Sequence, residues 1–194
     1  MKNMDELMSN LVEQNNLEIE DIPDIDLYMD QVIQLFENKF THTKRHQDEK
    51  VLTKTMINNY AKGKLFFPIK NKKYSKEHLL LISLIYQLKG ALSINDIKKV
   101  LDGVNDKILE EEKFDLDKLY ESYLYLAEQN SNRFKKNVEI SSMEIRDQVK
   151  ELNDKDSDYI ETFLSIASLV HISNLYRKTA EKMIDEITND TGNE

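Results

Sequence analysis

The residues best suited to chemistry stand between positions 54 and 73: Lys54, Thr55, Asn58, Asn59, Lys62, Lys64, Lys70, Lys72 and Lys73. An asparagine amide can pair bidentately with the edge of adenine in a DNA major groove. Lysine and threonine bind phosphate oxygens. The chemistry this set could perform is recognition of a polyanion rather than the making or breaking of bonds. Asn58 and Asn59 are the candidate base readers. Lys54, Thr55, Lys62 and Lys64 are candidate phosphate contacts, and Lys70, Lys72 and Lys73 would reach flanking backbone.

Charge distribution agrees with that reading. The chain carries a formal net charge of −9, which by itself argues against nucleic acid. Residues 50–89, however, hold nine lysines and one acid, Glu77, while residues 1–49 and 100–194 are strongly acidic. A local basic block is the electrostatic footprint of a polyanion site whatever the global charge.

Catalysis has no visible vehicle, and the chain is read as a non-enzyme without cofactor or metal. There is no cysteine, hence no disulfide, thiolate ligand or thiol nucleophile. Glycine occurs only at 63, 90, 103 and 192, too sparsely for a glycine-rich phosphate cradle. Nucleophile-elbow and zinc-protease patterns are missing as well. His42 and His46 stand four apart and could share a metal, but no clear third ligand accompanies them, so they read as exposed linker histidines. His171 reads as a packed histidine. Tyr120, Tyr123, Tyr125, Phe163 and Tyr176 could line an effector pocket, although their helical spacing favours core. Glu110, Glu111 and Glu112 read as a solvated helix face.

The elements that must position the candidate site follow from periodicity and punctuation. Four glycines and two prolines in 194 residues imply an all-α chain. Leu27, Tyr28, Val32, Leu35, Phe36 and Phe40 recur at three- and four-residue spacing, predicting a helix over 24–40 capped by Asp24 or Asp26. Residues 41–50 read as a polar loop. Thr53 caps a short helix from Lys54 to about Lys62, with Met56, Ile57 and Tyr60 on one face and Gly63 at its end. Residues 65–69 and 70–74 read as two short extended pieces with a basic tip, a very small β-wing. Ser75 caps a helix to Lys89 that is apolar on most sides and therefore central to the core. Ser93 to Asp96 is a capping-box-like start to a helix ending the first domain at Gly103. Further helices are expected over 115–136, 141–152 and 157–188. The longest apolar run, Leu79–Leu88, is about half of the roughly 20 residues a membrane span needs. With no targeting segment visible, a cytoplasmic location is expected.

This order of elements is the winged-helix plan, and its details resemble the MerR family. The matching stretches are Thr53-Lys54-Thr55-Met56-Ile57-Asn58-Asn59-Tyr60, then Gly63-Lys64-Leu65-Phe66-Phe67-Pro68, then Lys72-Lys73-Tyr74-Ser75. The segment Leu92 to Leu101 resembles that family's next helix. The wing is several residues shorter, and Asn58 stands where the MerR pattern has arginine. A closer resemblance is to bacterial domain-of-unknown-function family 1836 (DUF1836). It is carried by Ile22-Pro23-Asp24-Ile25-Asp26-Leu27-Tyr28-Met29-Asp30-Gln31-Val32 and by Leu52 to Tyr60, and it covers about residues 20–102.

The resemblance implies a MerR-like winged helix-turn-helix DNA-binding domain at 20–103. It would follow a flexible segment, 1–19, and precede an α-helical dimerisation or effector module at 104–190. The expected function is a sequence-specific transcriptional regulator, a repressor, bound as a homodimer to double-stranded DNA. The competing expectation is a protein-interaction module that keeps the winged helix without DNA binding. An interaction-only domain gives no reason for nine lysines against one acid.

Overall fold

The thirteen-residue segment Lys76–Leu88 is apolar on nearly every side, and the structure, a computed structural model, places it at the centre. It describes Met8, residues 16–110 and residues 114–190, with side chains as far as Ile187. Among the described residues there are six α-helices and one two-stranded sheet. The helices are α1 (Met29–Phe40), α2 (Lys54–Lys62), α3 (Lys76–Leu88), α4 (Ile94–Glu110), α5 (Leu116–Leu152) and α6 (Ser157–Asp190). The strands β1 (Leu27–Tyr28) and β2 (Lys73–Tyr74) pair antiparallel, Leu27 opposite Tyr74. The chain is all-α with a very small sheet. No helix among the described residues is long and apolar enough to cross a membrane.

Two compact units divide the chain, one of residues 14–124 and 181–194, the other of residues 1–13 and 125–180. In the first, Leu79, Leu80, Leu81, Ile82 and Ile85 of α3 are fully buried. Around them pack Phe36 and Phe40 of α1, Ile57 and Tyr60 of α2, Ile97 and Leu101 of α4, and Tyr120 of α5. The buried Tyr120 hydroxyl donates to the Leu17 carbonyl at 2.7 Å and therefore accepts from Ser83 Oγ at 2.8 Å, since it has a single proton. Leu17 is itself fully buried, so this part of the segment expected to be flexible belongs to the core. In the second unit α5 and α6 form a helical hairpin, crossed by an Arg146–Glu161 ion pair at 3.4 Å.

Several boundaries differ from the sequence-based expectation, each for a physical reason. The helix expected over 24–40 begins at Met29, because Leu27 turns inward and pairs with Tyr74. Tyr28 and Gln31, rather than an aspartate, form its start: the Tyr28 N–H donates to Gln31 Oε1 at 2.8 Å. Helix α4 does not end at Gly103. Its buried face continues through Asn105, with Val104 and Ile108 packed on the core, so the helix runs on to Glu110. The helices expected over 115–136 and 141–152 are one, because Asn137-Val138-Glu139-Ile140 contains nothing that breaks a helix. Glu111 and Glu112, expected on a solvated helix face, lie outside the described residues, as does most of the segment 1–19.

Gly103 marks a testable weak point. It stands in mid-helix, where glycine costs about 0.5–1 kcal/mol relative to alanine, and an added Cβ would meet nothing within 4 Å. Gly103→Ala is expected to raise unfolding stability by that amount in urea titrations. A loss of stability would contradict the placement.

Candidate nucleic-acid interface

Helix α2 is short, and its orientation is set by what it buries. Thr53 Oγ1 accepts from the Met56 N–H at 3.1 Å, satisfying one of the free amides of the first turn. Ile57 and Tyr60 are buried in the core, and burial pushes the Tyr60 hydroxyl pKa above its usual range. Lys54, Thr55, Asn58, Asn59 and Lys62 are all exposed on the remaining surface. Lys54 lies 2.7 Å from Asp30 at the start of α1. Because both groups are well exposed, that pair contributes little to stability and can open for another anion.

The end of α2 sets the next lysine. The Leu65 N–H reaches back to the Tyr60 carbonyl at 3.0 Å and the Lys64 N–H to the Ala61 carbonyl at 3.1 Å, closing a Schellman-type cap. The left-handed position in this cap is Lys64, at φ 55°, and not Gly63. Gly63 serves a different need: a Cβ there would stand 2.7 Å from Leu65 Cδ1. Leu65 is fully buried, and its carbonyl accepts from Asn105 Nδ2 at 3.1 Å.

The basic wing differs from a simple hairpin of 65–69 with 70–74. Leu65 and Phe66 are buried and Pro68 has no N–H to donate, so the first arm is not a strand. The hairpin is only a tip. The Lys73 N–H donates to the Lys70 carbonyl at 2.9 Å, with Asn71 at φ 51° and Lys72 at φ 60°. Positive φ at both central residues is the signature of a type I′ turn. Beyond the tip, Lys73-Tyr74 pairs with β1 instead. Lys70 and Lys72 are exposed; Lys73 is half-buried, its Nζ 5.3 Å from the centre of the Tyr28 ring. Tyr28 lies two residues before Asp30, so the β1–α1 corner joins Lys73 of the wing to Lys54 of α2.

His78 holds the wing to the core, a role that spacing alone did not expose. Its ring lies 3.9 Å from that of Phe67, centre to centre, with edge contacts to Phe66 and Tyr74. Nδ1 accepts from the Ser75 N–H at 3.1 Å, so Nε2 carries the proton and donates to the Phe67 carbonyl at 3.1 Å. Burial lowers its pKa, favouring this neutral form against the weaker raising effects of the Phe67 carbonyl, Glu77 and Asp26. The one sequence signal is position: His78 occupies the third place of a capping box usually filled by Glu or Gln.

Of the nine lysines in the basic block, several are engaged. Lys76 pairs with Asp117 at 2.6 Å, and the partly buried Lys89 donates to the Val51 carbonyl at 3.2 Å. Lys62, Lys64, Lys70 and Lys72 are exposed and carry no ion pair among the described residues. Two of these four occupy left-handed backbone. Among the described residues only Lys64, Asn71, Lys72 and Asn153 have positive φ. For a lysine that conformation costs about 1 kcal/mol or more.

The other candidates are not gathered into a site. Tyr120 and Tyr123 belong to the first unit's core, Tyr123 donating to Asn16 Oδ1 at 3.0 Å, whereas Tyr125, Phe163 and Tyr176 are exposed in the second unit. His42 and His46 are exposed, and no cluster of three metal-ligating side chains occurs among the described residues. His171 is exposed rather than packed, at the edge of an open groove between α5 and α6.

One family model, described as "Domain of unknown function (DUF1836)", matches residues 17–123, nearly the 14–124 part of the first compact unit. No curated protein and no solved structure matches.

The His78 clamp should make the wing acid-sensitive. A histidine whose pKa is lowered on folding stabilises the fold above its unfolded value of 6.5 and loses that contribution as pH falls below it. Urea midpoints measured at pH 7 and pH 5 should therefore fall further in the wild type than in His78→Gln, which keeps polar atoms but does not titrate. Equal falls in the two proteins would show that His78 carries no such linkage.

Proposed function

The chain belongs to the DUF1836 family, and from that premise we propose that it is a sequence-specific DNA-binding regulator of transcription, a repressor acting as a homodimer. In this reading the first unit works as a MerR-like winged helix. Helix α2 enters the major groove with Asn58 and Asn59 toward base edges. Thr55, Lys62 and Lys64 bind phosphates around it, Lys54 joins them when its exposed pair with Asp30 opens, and the wing lysines hold the flanking backbone.

The observation that carries the proposal is the pair of lysines in left-handed backbone. Glycine would occupy φ 55° and φ 60° without strain, yet Lys64 and Lys72 stand there, both exposed and both at expected phosphate contacts. Strain kept at a solvent-facing cation is accounted for when the cation has a task beyond folding. Four exposed lysines without ion pairs, each neutralising one phosphate, would give a log K against log salt slope of about −3.6 per protomer.

Two kinds of substitution test this. Lys64→Gly and Lys72→Gly should each raise unfolding stability by about 0.5–1 kcal/mol and, in mobility shifts, weaken binding to all duplexes with a shallower salt slope. Asn58→Ala or Asn59→Ala should cost about 1–3 kcal/mol on the preferred duplex and little on random duplex. If the glycine variants gain stability and bind DNA as before, the lysines have another purpose and the proposal fails.

A further inference from the structure

We propose that the solvent-facing side of α6 is a two-fold interface on which a second copy of this chain lies antiparallel, with Ile166 beside the axis. The proposal rests on the dimer reading above and adds to it the contact stripe and the orientation.

Residues 162–176 contain no Asp, Glu, Lys or Arg, an uncharged run of about 22 Å along the helix. Eight large apolar side chains of α6 between Tyr159 and Tyr176 are 38–72% exposed. Four of them, Tyr159, Phe163, Ile166 and Val170, follow one another at spacings of four, three and four, the repeat of a helix that packs along another helix. The hairpin buries none of these four, whereas Leu169, Ile172 and Tyr176 line the groove that α6 makes with α5. The hairpin's buried positions on these two helices are Val138, Val149 and Ser165, and the ion pair that crosses it comes from Arg146 and Glu161. Single exposed apolar residues need no explanation, but a continuous stripe marks an interaction surface. At on the order of 100 Å² for each exposed apolar side chain, the four of the stripe present roughly 400 Å², about half of what a stable complex takes from each partner, and the charged ends supply the rest.

Charge selects the occupant. Before the uncharged run stand Asp154, Asp156 and Asp158 against the single Lys155, Glu161 being paired with Arg146 within the hairpin, and immediately after it stand Arg177 and Lys178. A surface that is acidic at one end, apolar in the middle and basic at the other complements itself when one copy is reversed. With Ile166 on the axis, Arg177 and Lys178 of one copy fall opposite the acidic turn around Asp154–Asp156 of the other. Phe163 then faces Val170. A parallel copy would set acid against acid and base against base. An anionic lipid surface would repel the acidic end.

The chain has no cysteine, so single-cysteine variants of the full-length protein report the geometry directly. Wild type is first sedimented at tens of micromolar, and the variants are then oxidised with diamide. A dimer is expected. Ile166→Cys should form a covalent dimer, Tyr159→Cys and Ser173→Cys should not do so alone, and an equimolar mixture of those two should cross-link. Efficient self-cross-linking of Tyr159→Cys would overturn the antiparallel orientation while leaving the dimer standing. A dimer in which Ile166→Cys stays uncoupled would move the interface elsewhere. A monomeric wild type would defeat the dimer reading itself.

Discussion

A helix of nine residues has no stability of its own in water, because nucleation costs more than so few hydrogen bonds return. Helix α2 therefore exists only because Ile57 and Tyr60 are buried against the core and Thr53 closes its first turn. Much else at the candidate interface is a consequence. With those two side chains inward, Asn58, Asn59 and Lys62 are forced outward. The buried Leu65 that follows must turn back toward Tyr60, and the turn forces a left-handed residue at Lys64. Asn105, from a helix forty positions further along the chain, then fixes the Leu65 carbonyl and so the exit of the whole segment.

The wing obeys the same logic with a polar anchor. Ten residues separate the end of that cap from the start of α3, and few of them pair as strand. Aromatic packing of Phe66, Phe67 and Tyr74 around His78 replaces the missing ladder. An imidazole placed there is desolvated, and its two nitrogens must each find a role. One accepts from Ser75 and the other donates to Phe67, which fixes both the tautomer and the position of the loop. A protonated ring would turn Nδ1 from the acceptor of the Ser75 N–H into a donor, leaving that N–H unpaired and only Ser75 Oγ, at 2.9 Å, to accept. The rigidity of the basic tip thus depends on a neutral ring.

The features legible in the sequence are those decided within one turn of helix. Thr53, Ser75 and Ser93 begin helices where their types and the following apolar pattern require, and the all-round apolar α3 is central. Features decided by distant contacts were not legible. Leu27 continues the helical periodicity of α1 but is drawn into a strand by Tyr74, forty-seven residues away. Gly103 reads as a stop, yet Asn105 and its neighbours carry the apolar face of α4 past it. For the candidate site, which residues are exposed on α2 followed from periodicity. That Lys64 and Lys72 would sit in left-handed backbone did not, because a lysine gives no local signal for that conformation.

In the function proposed above, this exposed face of amides and lysines reads DNA sequence. The most direct measurement is to incubate the full-length protein with sheared genomic DNA from its own source, recover the bound fragments and sequence them. A small set of fragments should be enriched over input and share an inverted repeat with half-sites about one helical turn or a multiple apart. Recovery of fragments in the proportions of the input, or of none at low salt, would contradict it.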